Sequence, residues 1–151
     1  NDFNIKNFEL SKQLGEKYVE ICPLKTNVFP FVYDVLDYLS PKYLLYIITN
    51  GFEEVQYIKL KKSNMLKYFR HVFTSEQVGV KKPHPNIFKY AMSESLAQPA
   101  ESLMIGDDLL VDILGAKSLG INQVFFNPNN TIHSEKITHE ISCLSELKKL
   151  L

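Results

Sequence analysis

The chain has 151 residues, 45% of them hydrophobic and 23% charged, the composition of an ordinary globular chain of about one domain with enough apolar residues for a core. Seventeen basic residues balance seventeen acidic ones, so no global field favours nucleic acid or a membrane surface. Cys22 and Cys143 lack metal-ligand spacing and suit reduced thiols in a cytoplasmic protein better than a disulfide framework, and no apolar run approaches the ~20 residues of a membrane span.

Between Ile5 and Cys22, the residues Leu10, Leu14, Tyr18 and Ile21 recur at steps of three and four among charges, the pattern of one amphipathic helix. Cys22-Pro23-Leu24-Lys25-Thr26-Asn27 breaks that pattern and reads as a hinge, separating residues 1–27 from residues 28–151. Val32, Val35, Leu36 and Leu39 predict a second helix, opened after Pro30 and closed by Ser40-Pro41. Leu44 to Ile48 is apolar without alternation, as a parallel strand covered on both faces should be. Phe52 to Ser63 reads as a helix, Met65 to Phe69 as a short second piece, His71 to Thr74 as a strand and Asn86 to Leu96 as a helix. Leu103 to Ile105 is another apolar strand, and Leu109, Leu110, Ile113, Leu114 and Ala116 then recur as a helix requires, stopped by Gly120. Ile121 to Phe126 predicts a strand, and a polar loop leads through Ile141 to a last helix from Leu144 to Leu151. Alternation at these lengths predicts an α/β fold, a three-layer doubly wound parallel sheet with right-handed crossovers. Ligands of such sheets sit beyond the carboxyl ends of the strands.

Three of those ends carry candidate chemistry. Thr49-Asn50-Gly51 offers a hydroxyl, an amide and a glycine that lets backbone N–H groups approach an anion, although an Asn-Gly turn with a capping threonine accounts for the same residues. Lys81-Lys82-Pro83-His84-Pro85 holds two lysines against a Pro-x-Pro that narrows the backbone, and a lysine so placed can meet a phosphate charge. Gly106-Asp107-Asp108, with Asp112, sets three carboxylates within six residues. Asp is a favoured helix N-cap, but a cap needs one carboxylate. Asp108 and Asp112 are four apart, so on one helix face they would repel each other and call for a positive partner, for which Mg2+ is the obvious candidate. Hydroxyl, ammonium and carboxylate-bound metal on one rim describe a phosphoryl-transfer site.

From about Val28 to Leu151 the chain resembles the haloacid dehalogenase superfamily of phosphatases. Ile47-Ile48-Thr49-Asn50-Gly51 is similar to its second motif, Gly79-Val80-Lys81-Lys82-Pro83 to its third, and Ile105-Gly106-Asp107-Asp108 with Asp112 to its fourth. Val28-Phe29-Pro30, Glu54-Val55-Gln56-Tyr57 and Ser75-Glu76-Gln77-Val78 resemble the branch of pyrimidine 5′-nucleotidases, which act on nucleoside monophosphates. The resemblance implies catalytic roles for Thr49, Lys82, Asp107 and Asp112, substrate contacts from Thr49, Asn50, Gly51 and Lys82, and a Mg2+ site of Asp107 and Asp112, with Asp107 binding the ion directly and Asp112 orienting its water or the lysine. It implies also that Ile5 to Cys22 is the last helix of a helical cap, and that a small phosphorylated substrate is the partner.

One departure from the family pattern is large. The first motif, Asp-x-Asp-x-Thr after an apolar strand, supplies the nucleophile and the acid/base, and it does not occur in these 151 residues. Asp2-Phe3-Asn4 has no strand before it, and Asp34-Val35-Leu36-Asp37 lies in a helix with the wrong spacing. The resemblance places that strand in the middle of the sheet, between those ending at Thr49 and at Asp107. The chain therefore reads as the C-terminal part of a longer phosphatase, inactive by itself; the alternatives are a catalytically silent relative that binds a phosphorylated ligand or a partner, and a receiver-type signalling domain, which the order of the motifs disfavours. Nucleic acid is set aside because Lys59, Lys61, Lys62, Lys67 and Arg70 are spread around their helix, and His71, His84, His133 and His139 lack ligand spacing.

Overall fold

The computed structural model describes residues 7–151. Helix α1 (Phe8–Ile21) is capped by Asn7, whose Oδ1 accepts the Leu10 N–H at 2.9 Å, and it buries none of its side chains. Its apolar stripe, Leu10, Leu14, Tyr18 and Ile21, is between 40% and 62% exposed. A single 3-10 turn (Cys22–Leu24) follows, with Pro23 buried, where the sequence predicts a hinge. The predicted start of α1 at Ile5 and the Asp2-Phe3-Asn4 stretch lie outside the described residues.

Beyond the hinge, α2 (Val32–Leu39), β1 (Tyr46–Thr49), α3 (Glu53–Lys62), β2 (His71–Thr74), α4 (Ser75–Val78), α5 (Pro85–Ser95), β3 (Leu103–Gly106), α6 (Gly115–Lys117), β4 (Asn122–Phe126), β5 (His139–Ile141) and α7 (Leu147–Leu150) follow in order. All strand pairs are parallel. They fall into two groups, β1-β2 and β3-β4-β5, with no ladder joining β1 to β3 among the described residues. In register, Tyr46 lies opposite His71 and Thr49 opposite Thr74, while Leu103 lies opposite Asn122 and Gly106 opposite Phe125.

Two apolar clusters build the layers. On one face Val35 and Leu39 of α2 and Leu147 of α7 meet Val124, Phe126 and Ile141, with Leu45, Leu103 and Ile105 packed against them. On the other, Ile87 and Phe88 of α5 meet Ala116 and Ile121, with Ile48 and Met104 alongside. Leu103 and Ile105 thus point one way and Met104 the other, the period-two alternation of a strand covered on both faces. Helix α5 reaches Ile48 on one strand group and Met104 on the other, and Gly115 lets it come close: a Cβ there would lie 2.9 Å from the Phe88 ring.

Between the two groups lies an apolar cleft of about 1120 Å³, walled by Val35 and Leu39 on one side, Phe88 and Ala91 on the other, and by the facing edges of β1 and β3. The sequence predicts buried strands at these two edges, whereas every residue of both is only half buried. Three local differences from the sequence expectations also appear. β5 occupies part of the predicted polar loop, Ser75–Val78 forms a short helix, and the first turns after β3 are a π-type helix (Leu109–Leu114).

Candidate active site

Because every strand runs the same way, Thr49, Gly106 and the loops after them end on one rim. Asn50 organises it. Its Oδ1 accepts the Lys82 N–H at 2.7 Å, its Nδ2 donates to the Lys82 carbonyl at 3.0 Å, and its own carbonyl accepts the Ser75 hydroxyl at 3.2 Å. Each such bond is worth about 0.5–1.5 kcal/mol net. Together they lock the loop that carries Lys82 to the end of β1. Sequence reasoning gives Asn50 a place beside the phosphate; this second task, clamping the lysine's backbone, was signalled only by the position of an Asn with both amide donors and an acceptor at a strand end.

With its backbone held, Lys82 extends its ammonium to Asp112, Nζ to Oδ1 at 2.6 Å, with the two side chains 11% and 8% exposed. An ion pair this buried loses about 3–5 kcal/mol when one member is removed, because the other charge is stranded. Asp112 also takes the Asp108 N–H on Oδ2 at 3.4 Å, so both its oxygens are engaged. Gly106 makes room for it: a Cβ at that position would lie 2.5 Å from the Asp112 Cβ. Lys81, next in sequence to Lys82, is exposed.

The three clustered aspartates differ in what they bond. Asp108 is extended (φ −105°, ψ 112°) and caps the following helix, its Oδ1 accepting the Leu110 N–H at 3.0 Å and the Val111 N–H at 2.9 Å. It therefore does not share a helix face with Asp112, and the repulsion inferred from their spacing does not arise. Asp107 is exposed at the rim, with an open carboxylate. Thr49 Oγ1 accepts the Gly51 N–H at 3.1 Å, which is the capping-turn geometry, and leaves the hydroxyl hydrogen to donate elsewhere. Thr49, Asn50, Lys82, Asp107 and Asp112 are thus brought to one rim, at the mouth of the cleft, which Thr49, Lys82, Asp107 and Asp112 all line.

The donor set bears on Mg2+. Among the described residues no three His, Cys, Asp or Glu side chains cluster as a ready-made metal cage. Mg2+ is commonly held by one or two carboxylates, completed by waters and phosphate oxygens, and the exposed Asp107 at the rim is a hard ligand of that kind. The residues present fit the ion.

Next to the rim a smaller pocket of about 370 Å³ is lined by Asn50, Gly51, Phe52, Tyr18, Glu76 and Lys81, among others. Side-chain hydrogen bonding to Cys22 raises the Tyr18 hydroxyl above its ordinary pKa. One Glu76 oxygen accepts the Glu53 N–H at 2.9 Å, fixing the carboxylate at the start of α3.

A parallel α/β sheet with a threonine, a clamped lysine and an aspartate loop on one rim defines the class, and comparison with known proteins gives the family. Residues 2–126 match the haloacid dehalogenase-like hydrolase family, and the chain belongs to it. It is 34% identical to the pyrimidine 5′-nucleotidase YjjG of Escherichia coli (strain K12), over 98% of this chain and 65% of that protein. Among solved structures it superposes on the Bacillus subtilis protein YfnB, crystallised with magnesium, with a TM-score of 0.89 at 27% identity over 99% of this chain and 66% of that one. It superposes also on a HAD phosphatase from Thermococcus onnurineus, with a TM-score of 0.80 at 35% identity over 97% of this chain and 65% of that one. The chain spans 50–65% of the length of the curated relatives it matches along three quarters or more of its own length.

Proposed function

We propose that these residues are the C-terminal part of a Mg2+-dependent phosphomonoesterase that works through an aspartyl-phosphate, with nucleoside monophosphates as substrates. The observation that carries the reading is the buried Lys82–Asp112 pair, clamped by Asn50 at the mouth of a cleft that Thr49 and Asp107 also line. The division at the hinge supports it: residues 1–27 read as the end of a cap, because the apolar stripe of α1 is exposed, and residues 28–151 as the core.

The cleft between β1 and β3 supports the rest. Adjacent strands stand ≈ 4.8 Å apart, and two facing strand edges with apolar walls suit one further parallel strand. A strand entering there ends on the rim, so a carboxylate just past its end lies among Thr49, Lys82 and Asp107. That carboxylate attacks phosphorus, the ester P–O bond breaks and the leaving alkoxide takes a proton from the acid/base of the same motif; that group, now a base, takes a proton from the water that hydrolyses the acyl phosphate, releasing inorganic phosphate and the free carboxylate. Thr49 donates its hydroxyl hydrogen to a phosphoryl oxygen, and Asn50 and Gly51 position the group. Lys82 offsets the negative charge of nucleophile and phosphate, and Asp112 aims Lys82. Mg2+, held by Asp107, supplies further charge neutralisation when bound. The name of YjjG supports the nucleotide reading by similarity.

The test is phosphate release by the complete polypeptide from a panel of nucleoside monophosphates, with Mg2+ and with chelator. Magnesium-dependent release supports the proposal. A folded protein that binds phosphate and releases none from any ester would instead be the silent relative.

A further inference from the structure

The pocket beside Asn50 and Gly51 is not needed to hold or transfer a phosphate, yet it opens from the residues that position one. It is built from three separate elements: Tyr18 comes from α1, Phe52 from the turn after β1, and Glu76 from α4. Two aromatic rings are left half in solvent there, Tyr18 at 50% and Phe52 at 56% exposed. Aromatic faces exposed in a concave site are the usual seat of a flat ring. Polar groups accompany them: the Glu76 carboxylate accepts hydrogen bonds, and the Lys81 ammonium donates. Together they match the alternating N–H and carbonyl edge of a heterocyclic base, which an aliphatic alcohol lacks.

We propose, on the basis of the phosphatase reading above, that this pocket receives the alcohol half of the substrate, with Tyr18 and Phe52 selecting a nucleoside base by stacking and Glu76 and Lys81 reading its edge. The assignment makes the hinge part of specificity, since Tyr18 is carried by the helix before it and Phe52 by the core after it. It also gives the adjacent lysines different work, Lys82 toward the phosphate and Lys81 toward the base.

Two measurements on the complete polypeptide test it. In the first, uridine and cytidine, which carry no phosphate, are titrated while backbone amides are followed by NMR. Gly51 and Phe52 amides should shift with the nucleosides and not with glycerol, and Phe52→Ala should weaken nucleoside binding on the order of tenfold, as loss of one base–aromatic stack does. In the second, kcat/KM for uridine monophosphate is divided by that for glycerol 3-phosphate. Phe52→Ala and Tyr18→Ala should lower this ratio on the order of tenfold, through KM, and Phe52→Leu, which keeps bulk without a ring, should lower it too. Unmoved Gly51 and Phe52 amides at saturating nucleoside, or an unchanged ratio in all three variants, would overturn the assignment. A protein that binds nucleosides at these amides but hydrolyses nothing would keep the pocket and sink the phosphatase reading, so the two failures are distinguishable.

Discussion

The inner and outer strands of this sheet have the same kind of sequence and different surroundings. Val72, Phe73 and Thr74 of β2, and Val124 and Phe125 of β4, are 3% exposed or less, whereas Tyr46–Thr49 of β1 and Leu103–Gly106 of β3 are half buried throughout. Tyr-Ile-Ile-Thr and Leu-Met-Ile-Gly are interior-strand sequences; β3 has helices packed over both faces, and Ile48 of β1 packs against the α5 cluster. Their facing edges are open. Thr49, Asn50 and Asp107 stand at the ends of the inner pair and Lys82 on the loop clamped to them, while the outer strands carry core.

If that division holds, changes at the inner rim remove activity and changes in the outer half move only stability. The largest effect should come from Lys82→Ala in the complete polypeptide, which should lower kcat on the order of a hundredfold or more, as loss of a charge-stabilising donor does. The same change strands Asp112 and should lower unfolding stability by about 3–5 kcal/mol, read by denaturant titration. A variant that loses stability but keeps kcat would move Lys82 from chemistry to structure. Next, Asp107→Asn should weaken the Mg2+ dependence of turnover more than Asp108→Asn does, because Asp108 is committed to capping Leu110 and Val111. The reverse ranking in metal titrations would make Asp108 the ligand.

Gly106→Ala sharpens the comparison without touching a charge. The added Cβ meets Asp112, so the strand end or the aspartate must shift, at a cost of about 1–3 kcal/mol and with a fall in kcat if the lysine's aim matters. The smallest effect belongs to the outer half. Glu146 accepts the backbone N–H groups of Cys143 and Ser142, and these bonds, Cys143's first, hold its carboxyl below its ordinary pKa. A depressed folded-state pKa adds stability above the unfolded value and loses it as pH falls through the folded one. Glu146→Gln should therefore flatten the acid limb of a stability–pH curve while leaving kcat unaltered; a change in kcat would breach the division between the two regions.

Much of this was legible in the chain. Helices α2, α3 and α5 and the strands β2, β3 and β4 stand within a residue or two of where periodicity and turn residues place them, because each has four or more residues and a clear apolar pattern. β5 escaped notice because it is three residues long and only Ile141 of it is buried, so nothing alternates. Strand β1 begins at Tyr46 and not at Leu44, which is 63% exposed: an apolar run does not say where its ladder starts. At the site, residue types located the rim, and the three backbone and side-chain bonds of Asn50 could not be read from them. Asp108 illustrates the same limit, since a four-residue spacing implies one helix face only if both residues are helical, and Asp108 precedes the helix.

On the proposed reading, the chemistry requires a strand in the cleft between β1 and β3, followed by the attacking carboxylate. The direct measurement is phosphate release from p-nitrophenyl phosphate and nucleoside monophosphates, with Mg2+, by the purified 151-residue chain and by the complete polypeptide side by side. The account predicts turnover by the complete polypeptide and none by the 151 residues, even where these bind phosphate weakly. Full turnover by the 151 residues alone would contradict it, and would mean that a carboxylate already within them attacks phosphorus.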